Sequence, residues 1–105
     1  MAKVEFNYDK NEDILYLFNG AKNVKFSLDF HDIYILDFDE KNHVVGLEII
    51  DASKVLYFKK EALSNLKEVE MTARFKDGIM AVLIILRAEQ MKPVQTTIPI
   101  PLAIK

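Results

Sequence analysis

This sequence has no cysteine and no tryptophan, and it has only three glycines and three prolines. The absence of cysteine excludes disulfide bonds, thiolate nucleophiles and cysteine-ligated metal centres. The isolated glycines provide no glycine-rich phosphate-binding loop. Arginine occurs only at Arg74 and Arg87, and the net charge is -2. Because nucleic-acid binding depends on phosphate neutralisation and bidentate arginine contacts, we expect no nucleic-acid partner.

Long apolar runs are also missing. The longest is the segment 79–86, whereas a helix needs roughly 20 apolar residues to cross a bilayer. The first residues contain no apolar stretch of the kind found in secretory signals. We therefore expect a cytoplasmic protein with no membrane contact.

The composition is that of a folded domain. Half of the 105 residues are hydrophobic and 29% are charged, so we expect a single domain over residues 1–105. Apolar and polar residues alternate along most of the chain, which is the period of half-buried β-strands. The pattern predicts strands at 3–8, 13–18, 24–30, 33–38, 44–50, 68–75, 79–86 and 94–104.

One segment has helical spacing. Apolar residues recur at three and four over 52–66, which predicts one amphipathic helix with Asp51 as its N-cap, and a break near Tyr57 is left open. The predicted fold class is therefore α+β, mostly an antiparallel meander with one helix. Pro99 and Pro101 share one parity, which indicates an edge strand. Gly46 inside a strand indicates a bulge or a close backbone approach.

Two segments carry a recognisable pattern. They are Tyr8-Asp-Lys-Asn-Glu-Asp-Ile-Leu-Tyr-Leu17 and Ile35-Leu-Asp-Phe-Asp-Glu-Lys-Asn-His-Val-Val-Gly-Leu-Glu-Ile-Ile-Asp-Ala-Ser-Lys54. Over about residues 6–56, the chain resembles the DUF2283 family of small uncharacterised prokaryotic proteins. One departure is Asn42-His43, where the family commonly has glycine, although asparagine also tolerates positive φ.

The resemblance implies a small β-rich core over 6–56. Residues 67–105 lie outside the resemblance, and their alternation predicts a three-stranded C-terminal extension. It implies no reaction. Some members of the family look like gene neighbours of small toxin-like proteins. By association, this suggests an antitoxin-like or partner-binding role.

Carboxylates gather at two turns and could hold a hard cation or act as an acid–base pair. Asp9, Glu12 and Asp13 form the first group, and Asp37, Asp39, Glu40, Glu48 and Asp51 form the second. Turn formation and helix capping explain these residue types better, so we expect no catalytic residue, no cofactor and no metal. If a site exists, the first residues to test are Asp37, Asp39, Glu48 and Asp51. We expect Glu48 on the exposed face of its strand.

The segment 79–86 is apolar on both faces, and one helix cannot cover both faces of a sheet. We therefore expect a homodimer or larger oligomer, and the possible interface consists of Ile79, Val82, Leu83, Ile84, Ile85 and Leu86. The favoured function is a non-enzymatic homo-oligomeric interaction module. Two alternatives stay open: an antitoxin-like binder of a small toxin partner, and a small hydrolase or metal-binding protein that uses the acidic hairpin.

Overall fold

A computed structural model describes residues 2–20 and 23–102 of this protein. Two short helices interrupt a chain of β-strands that pair antiparallel throughout. The elements are β1 (Ala2–Asp9), β2 (Ile14–Phe18), β3 (Phe26–Phe30), β4 (Tyr34–Phe38), β5 (Val44–Ile50), α1 (Ala52–Val55), α2 (Lys60–Ser64), β6 (Leu66–Lys76), β7 (Ile79–Ala88) and β8 (Val94–Pro101).

The strands form one sheet in the order β3-β4-β5-β2-β1-β6-β7-β8, and this sheet curls into an open half-barrel. Strand β1 joins the two halves, because residues 2–4 pair with β6 whereas residues 5–9 pair with β2. Residues from both halves belong to one hydrophobic core. The two halves of the sheet therefore cover each other.

Alternation along each strand decides which side chains lie inside this core. Cross-strand partners such as Leu17 and Leu47, or Val82 and Ile98, share the inner face and are buried. The side-chain period of a strand is two, so a register slip of one residue would turn the inner set outward. The buried set includes Leu15, Leu17, Leu36, Leu47, Ile49, Val69, Val82, Ile84, Leu86, Ile98 and Ile100.

The predicted α+β fold class is wrong, because the protein is essentially all-β. The single helix predicted over 52–66 is replaced by α1 and α2, which have four and five residues. The break that the sequence left open near Tyr57 is confirmed, because Tyr57 lies between the two helices with a left-handed φ of 57°. The Phe58 N–H donates to the Ser53 carbonyl oxygen at 3.0 Å, the hydrogen bond of a Schellman motif that ends a helix.

The apolar spacing over 52–66 nevertheless identified residues that pack inward. Leu63 is buried, and Val55, Leu56 and Phe58 pack against the core. Apolar periodicity reports which side chains face the core, and it does not report a left-handed residue that ends a helix. No helix in the described part of the chain is long and apolar enough to cross a membrane.

Strand β8 lies at one edge of the sheet, as its two prolines predict. The Leu102 N–H donates to the Gly78 carbonyl oxygen, which points the backbone groups of even-numbered residues toward β7. The backbone groups of Pro99 and Pro101 therefore point to the open edge. Because proline has no N–H, this part of the edge lacks the donors that another strand would need.

The left-handed residue between the helices generates a stability prediction. The Tyr57 side chain is 93% exposed and loses little packing if it is removed. A left-handed conformation is unfavourable for residues with a Cβ, whereas glycine adopts it freely. Tyr57→Gly should raise the free energy of unfolding by about 0.5–1 kcal/mol in urea denaturation. Tyr57→Ala keeps the Cβ and is the control; an equal gain in that variant would contradict the explanation.

Candidate functional site

Three acidic side chains are buried among the described residues: Asp13, Asp37 and Asp39. A carboxylate taken out of water needs hydrogen-bond donors in its place. All three lie within the segments that carry the family resemblance. Their hydrogen-bond partners therefore show whether these carboxylates could take part in a reaction or instead stabilise the fold.

Asp13 joins the first hairpin to the start of α1. Its Oδ1 accepts hydrogen bonds from the Tyr8 hydroxyl at 2.7 Å and from the Ser53 N–H at 3.0 Å. Its Oδ2 accepts one from the Ser53 hydroxyl at 2.6 Å. Burial raises the pKa of Asp13, but the donors from Ser53 and Tyr8 outweigh burial and leave this pKa below its ordinary value.

Asp51 occupies the predicted N-cap position of α1, but the predicted capping by its side chain is wrong. Asp51 stands just before α1, but its φ is 54° and its side chain makes no cap hydrogen bond. Asp13 supplies the cap instead, because its side chain accepts the Ser53 N–H and its carbonyl oxygen accepts the Ala52 N–H at 2.9 Å. Because this capping residue comes from a distant turn, no residue pattern next to the helix indicates it.

Asp37 lies on the outer face of β4 and links strands on both of its sides. Its Oδ1 accepts a hydrogen bond from the Ser27 hydroxyl of β3 at 2.6 Å. Its Oδ2 accepts one from the Tyr16 hydroxyl of β2 at 2.7 Å. Burial and the Asp37 carboxylate raise the pKa of Tyr16 to about 12, so this phenol stays protonated near neutral pH.

Gly46 allows the Tyr16 side chain to reach Asp37 across β5. A methyl group at position 46 would lie 2.5 Å from Asp37 Oδ2 and 3.1 Å from the Tyr16 hydroxyl oxygen. Both distances are shorter than ordinary contacts of a Cβ atom. Of the two alternatives predicted for Gly46, the bulge agrees with the register shift in the β4–β5 pairing directly after Asp37, whereas the close contacts at Gly46 come from side chains and not from another backbone.

Asp39 organises the turn between β4 and β5. Its Oδ1 accepts the N–H groups of His43 and Lys41, each at 2.9 Å. The His43 N–H lowers the pKa of Asp39 below its ordinary value, and the Lys41 N–H contributes in the same direction. Asn42 has a φ of 64°, so it serves where the family commonly has glycine.

The four residues predicted as the first to test do not form one site. Glu48 is half-buried on the outer face as expected, with Tyr16 and Ile35 as its cross-strand partners. Asp37 lies on the same face, but Asp39 is in the hairpin turn and Asp51 precedes α1. Within residues 2–20 and 23–102, no group of three or more acidic or histidine side chains could hold a metal ion. The buried carboxylates bind hydroxyl and backbone groups of the fold itself.

The predicted interface on β7 is divided between two environments. Val82, Ile84 and Leu86 are buried in the chain's own core, so they cannot contact a partner. Ile79, Leu83 and Ile85 lie on the outer face, where Ile79 is 43% exposed and the other two are half-buried. The curled sheet covers the inner face of this strand without a long helix, and the outer face stays partly exposed.

One surface groove was not predicted from the sequence. It is a groove of about 850 Å³ where the two edges of the half-barrel face each other. Inner-face residues of β3 form one wall and the β6–β7 turn region with the end of β8 forms the other. The apolar residues that line the groove include Phe26, Leu28, Phe30, Phe75, Met80 and Leu102. Alternation predicted the β3 strand, but it does not show that its inner face stays uncovered.

The structure is a small all-β domain in which hydroxyl and backbone donors hold the buried carboxylates Asp13, Asp37 and Asp39 in place. A family model described as "Protein of unknown function (DUF2283)" matches residues 5–53. An uncharacterized protein of Methanocaldococcus jannaschii is 39% identical over 80 residues, which covers 74% of this chain and 67% of that protein. The chain belongs to the DUF2283 family.

A second relative is a Methanosarcina mazei protein with the name "Putative hypoxanthine phosphoribosyltransferase". It is 33% identical over 66 residues, which is 63% of this chain, and the chain spans about half (53%) of that relative's length. No solved structure matches this chain.

The hydrogen bonds of Asp13 generate a prediction on pH. A folded-state pKa below the unfolded value of about 3.9 means that the stabilisation is complete above that value and is lost as pH falls through the folded pKa. The urea midpoint should therefore drop as pH is lowered from about 5 to about 2. Asp13→Asn should be less stable at neutral pH and less sensitive to acid, and Asp51→Asn is the matched control. An unchanged acid profile in Asp13→Asn would contradict this role.

Close packing at Gly46 generates a second prediction. Gly46→Ala should lower the free energy of unfolding by about 1–3 kcal/mol, because the methyl group meets the Asp37 carboxylate within a bonded network. Gly20→Ala is the matched control, since its methyl group would meet only the mobile end of the exposed Glu5 side chain. Chemical denaturation compares the two. Equal losses would show that glycine content, and not the Asp37 contact, decides stability.

Proposed function

We propose that this chain is a non-enzymatic interaction module that acts by associating with a second copy of itself. The observation that carries the proposal is the open groove of the half-barrel. The inner residues Phe26 and Leu28 of β3 are each 40% exposed, and Phe75 across the groove is 47% exposed. Contiguous apolar surface of this kind marks interaction sites in soluble proteins.

The uncovered position of β3 explains why this surface is available. Inner residues of β2, β4, β5 and β7 are buried by the opposite half of the sheet. Strand β3 lies at the sheet edge, and the opposite edge does not reach far enough to bury its side chains. The outer stripe of Ile79, Leu83 and Ile85 is a weaker candidate, because two of its three residues are half-buried.

The state of the carboxylates supports a non-enzymatic role. Hydroxyl groups of Tyr8, Tyr16, Ser27 and Ser53 donate to Asp13 and Asp37. Burial, followed by these hydrogen bonds, raises the pKa of both tyrosines above the ordinary value. Phenols that stay protonated and carboxylates that already accept several hydrogen bonds are poor bases and nucleophiles near neutral pH.

The name of the M. mazei relative gives no reason to propose phosphoribosyl transfer for this chain. Phosphate groups are commonly held by glycine-rich loops or by helix N-termini. The two helices of the described residues have four and five residues, and the glycines at 20, 46 and 78 are isolated. This chain also spans only 53% of that relative.

Self-association is tested by light scattering at micromolar concentration. The wild-type chain should have the mass of a dimer, and Leu28→Lys should shift it to a monomer with unchanged circular dichroism, because a charge replaces exposed apolar surface in the groove. Leu83→Lys on the outer face is the matched control and should remain dimeric. A wild-type monomer at every accessible concentration would contradict the proposal.

A further inference from the structure

The two edges of the half-barrel differ in their ability to pair with another strand. At β8, the open edge lacks N–H donors at Pro99 and Pro101. At the other edge, β3 contains no proline, and within the described residues it pairs with β4 alone. An edge strand of this kind is a template for adding a strand.

The sequence around β3 is self-complementary in the antiparallel direction. The self-complementary segment is 25–29, and Ser27 is its central residue. Phe26 and Leu28 flank Ser27, and Lys25 and Asp29 lie at the two ends. Lys25 directly precedes β3, and its N–H donates to the Phe38 carbonyl oxygen at 2.7 Å, which holds its backbone against β4. Two such strands paired antiparallel about Ser27 would place opposite charges and apolar residues directly across from each other.

We propose that β3 pairs antiparallel with β3 of a second copy about a two-fold axis at Ser27. The proposal rests on the self-association proposed above and identifies its surface and register. Lys25 then lies opposite the partner's Asp29, and Phe26 lies opposite the partner's Leu28. Both relationships occur twice, because residues in a two-fold interface contact each other reciprocally.

The faces of the sheet agree with this register. Ser27 and Asp29 share the outer face with Asp37 and Ile35, their cross-strand partners in β4. Phe26 and Leu28 line the groove on the inner face. Pairing about Ser27 therefore keeps the charge pairs on the outer surface. It also brings a second phenylalanine and leucine to the mouth of each groove, where they cover exposed apolar surface.

Neighbouring registers lose the charge complementarity. An axis at Phe26 places Lys25 opposite the partner's Ser27, and an axis at Leu28 places it opposite the partner's His31. Opposite charges directly across a strand pair stabilise it, and like charges destabilise it. The Asp29 carboxylate is also held in position, because its Oδ1 accepts the Asp32 N–H at 3.0 Å. Charge complementarity therefore selects the axis at Ser27.

Charge reversal tests the register. Lys25→Asp places two carboxylates opposite each other twice in the dimer and should raise the dimer dissociation constant about tenfold or more in sedimentation equilibrium. The double variant Lys25→Asp/Asp29→Lys should restore the dimer, because the pairs re-form with reversed sign. Lys54→Asp, an equal charge change in α1, is the control. A dimer that withstands Lys25→Asp, or a double variant that stays dissociated while folded, would overturn the register.

A thiol at the proposed axis gives an independent test, since the chain has no cysteine of its own. Residues at the axis face their own copies, so Ser27→Cys should cross-link into a covalent dimer under mild oxidation or with a short bis-maleimide. Thr97→Cys on the other edge strand is the matched control and should stay uncross-linked. A wild-type dimer without this cross-link and without sensitivity to Lys25→Asp would overturn β3 pairing and leave self-association standing. A monomer would overturn both.

Discussion

The inner face of this sheet has to be covered by the same sheet, and most of the structure follows from that constraint. The described residues contain no helix longer than five residues, so no helix can lie across an eight-stranded apolar surface. Strand β1 meets the constraint by pairing first with β6 and then with β2. The change of partner lets the two halves face each other, and the twist of antiparallel strands favours the resulting curl. The groove lies where this curl ends without closing.

The buried carboxylates of Asp13 and Asp37 stabilise the half of the sheet that contains β2 to β5. Asp13 holds the first hairpin against α1, and Asp37 connects β3 to β2 through hydroxyl groups. Gly46 is needed for this hydrogen-bond network, since the Tyr16 hydroxyl passes over it to reach Asp37. Burying a carboxylate is unfavourable unless donors surround it, and the tyrosine, serine and glycine positions provide these donors and the room for them. The residues that carry the family resemblance thus have direct roles in folding.

Local patterns in the sequence predicted local structure well. Alternation located the strands, the proline parity located the edge strand β8, and Gly46 indicated the bulge in the β4–β5 pairing. Each of these properties depends on neighbours along the chain or on one strand partner. The prediction of one helix over 52–66 was wrong because a left-handed Tyr57 ends α1. The prediction that the Asp51 side chain caps this helix was wrong because the Asp13 carboxylate, from another hairpin, accepts the Ser53 N–H.

Properties of the whole sheet were beyond these patterns. Apolar residues on both faces of β7 suggested an external partner, although the opposite half of the barrel covers the inner one. The same limit applies to the candidate site. Carboxylates at 37, 39, 48 and 51 look like one cluster along the sequence, but β4, the following turn, β5 and the approach to α1 separate them. The groove depends on the strand order of the whole sheet, which places β3 at an edge.

The asymmetry between the two edges has a consequence for assembly. A half-barrel with two equally receptive edges would add copies without limit, which is the hazard of exposed edge strands. Here one edge carries Pro99 and Pro101 with their missing donors outward, whereas the other presents β3. If two copies pair through β3, both outer edges of the joined sheet are β8, and both lack donors at the same positions. Pairing through β3 would therefore use the receptive edge of each copy once and give a closed dimer.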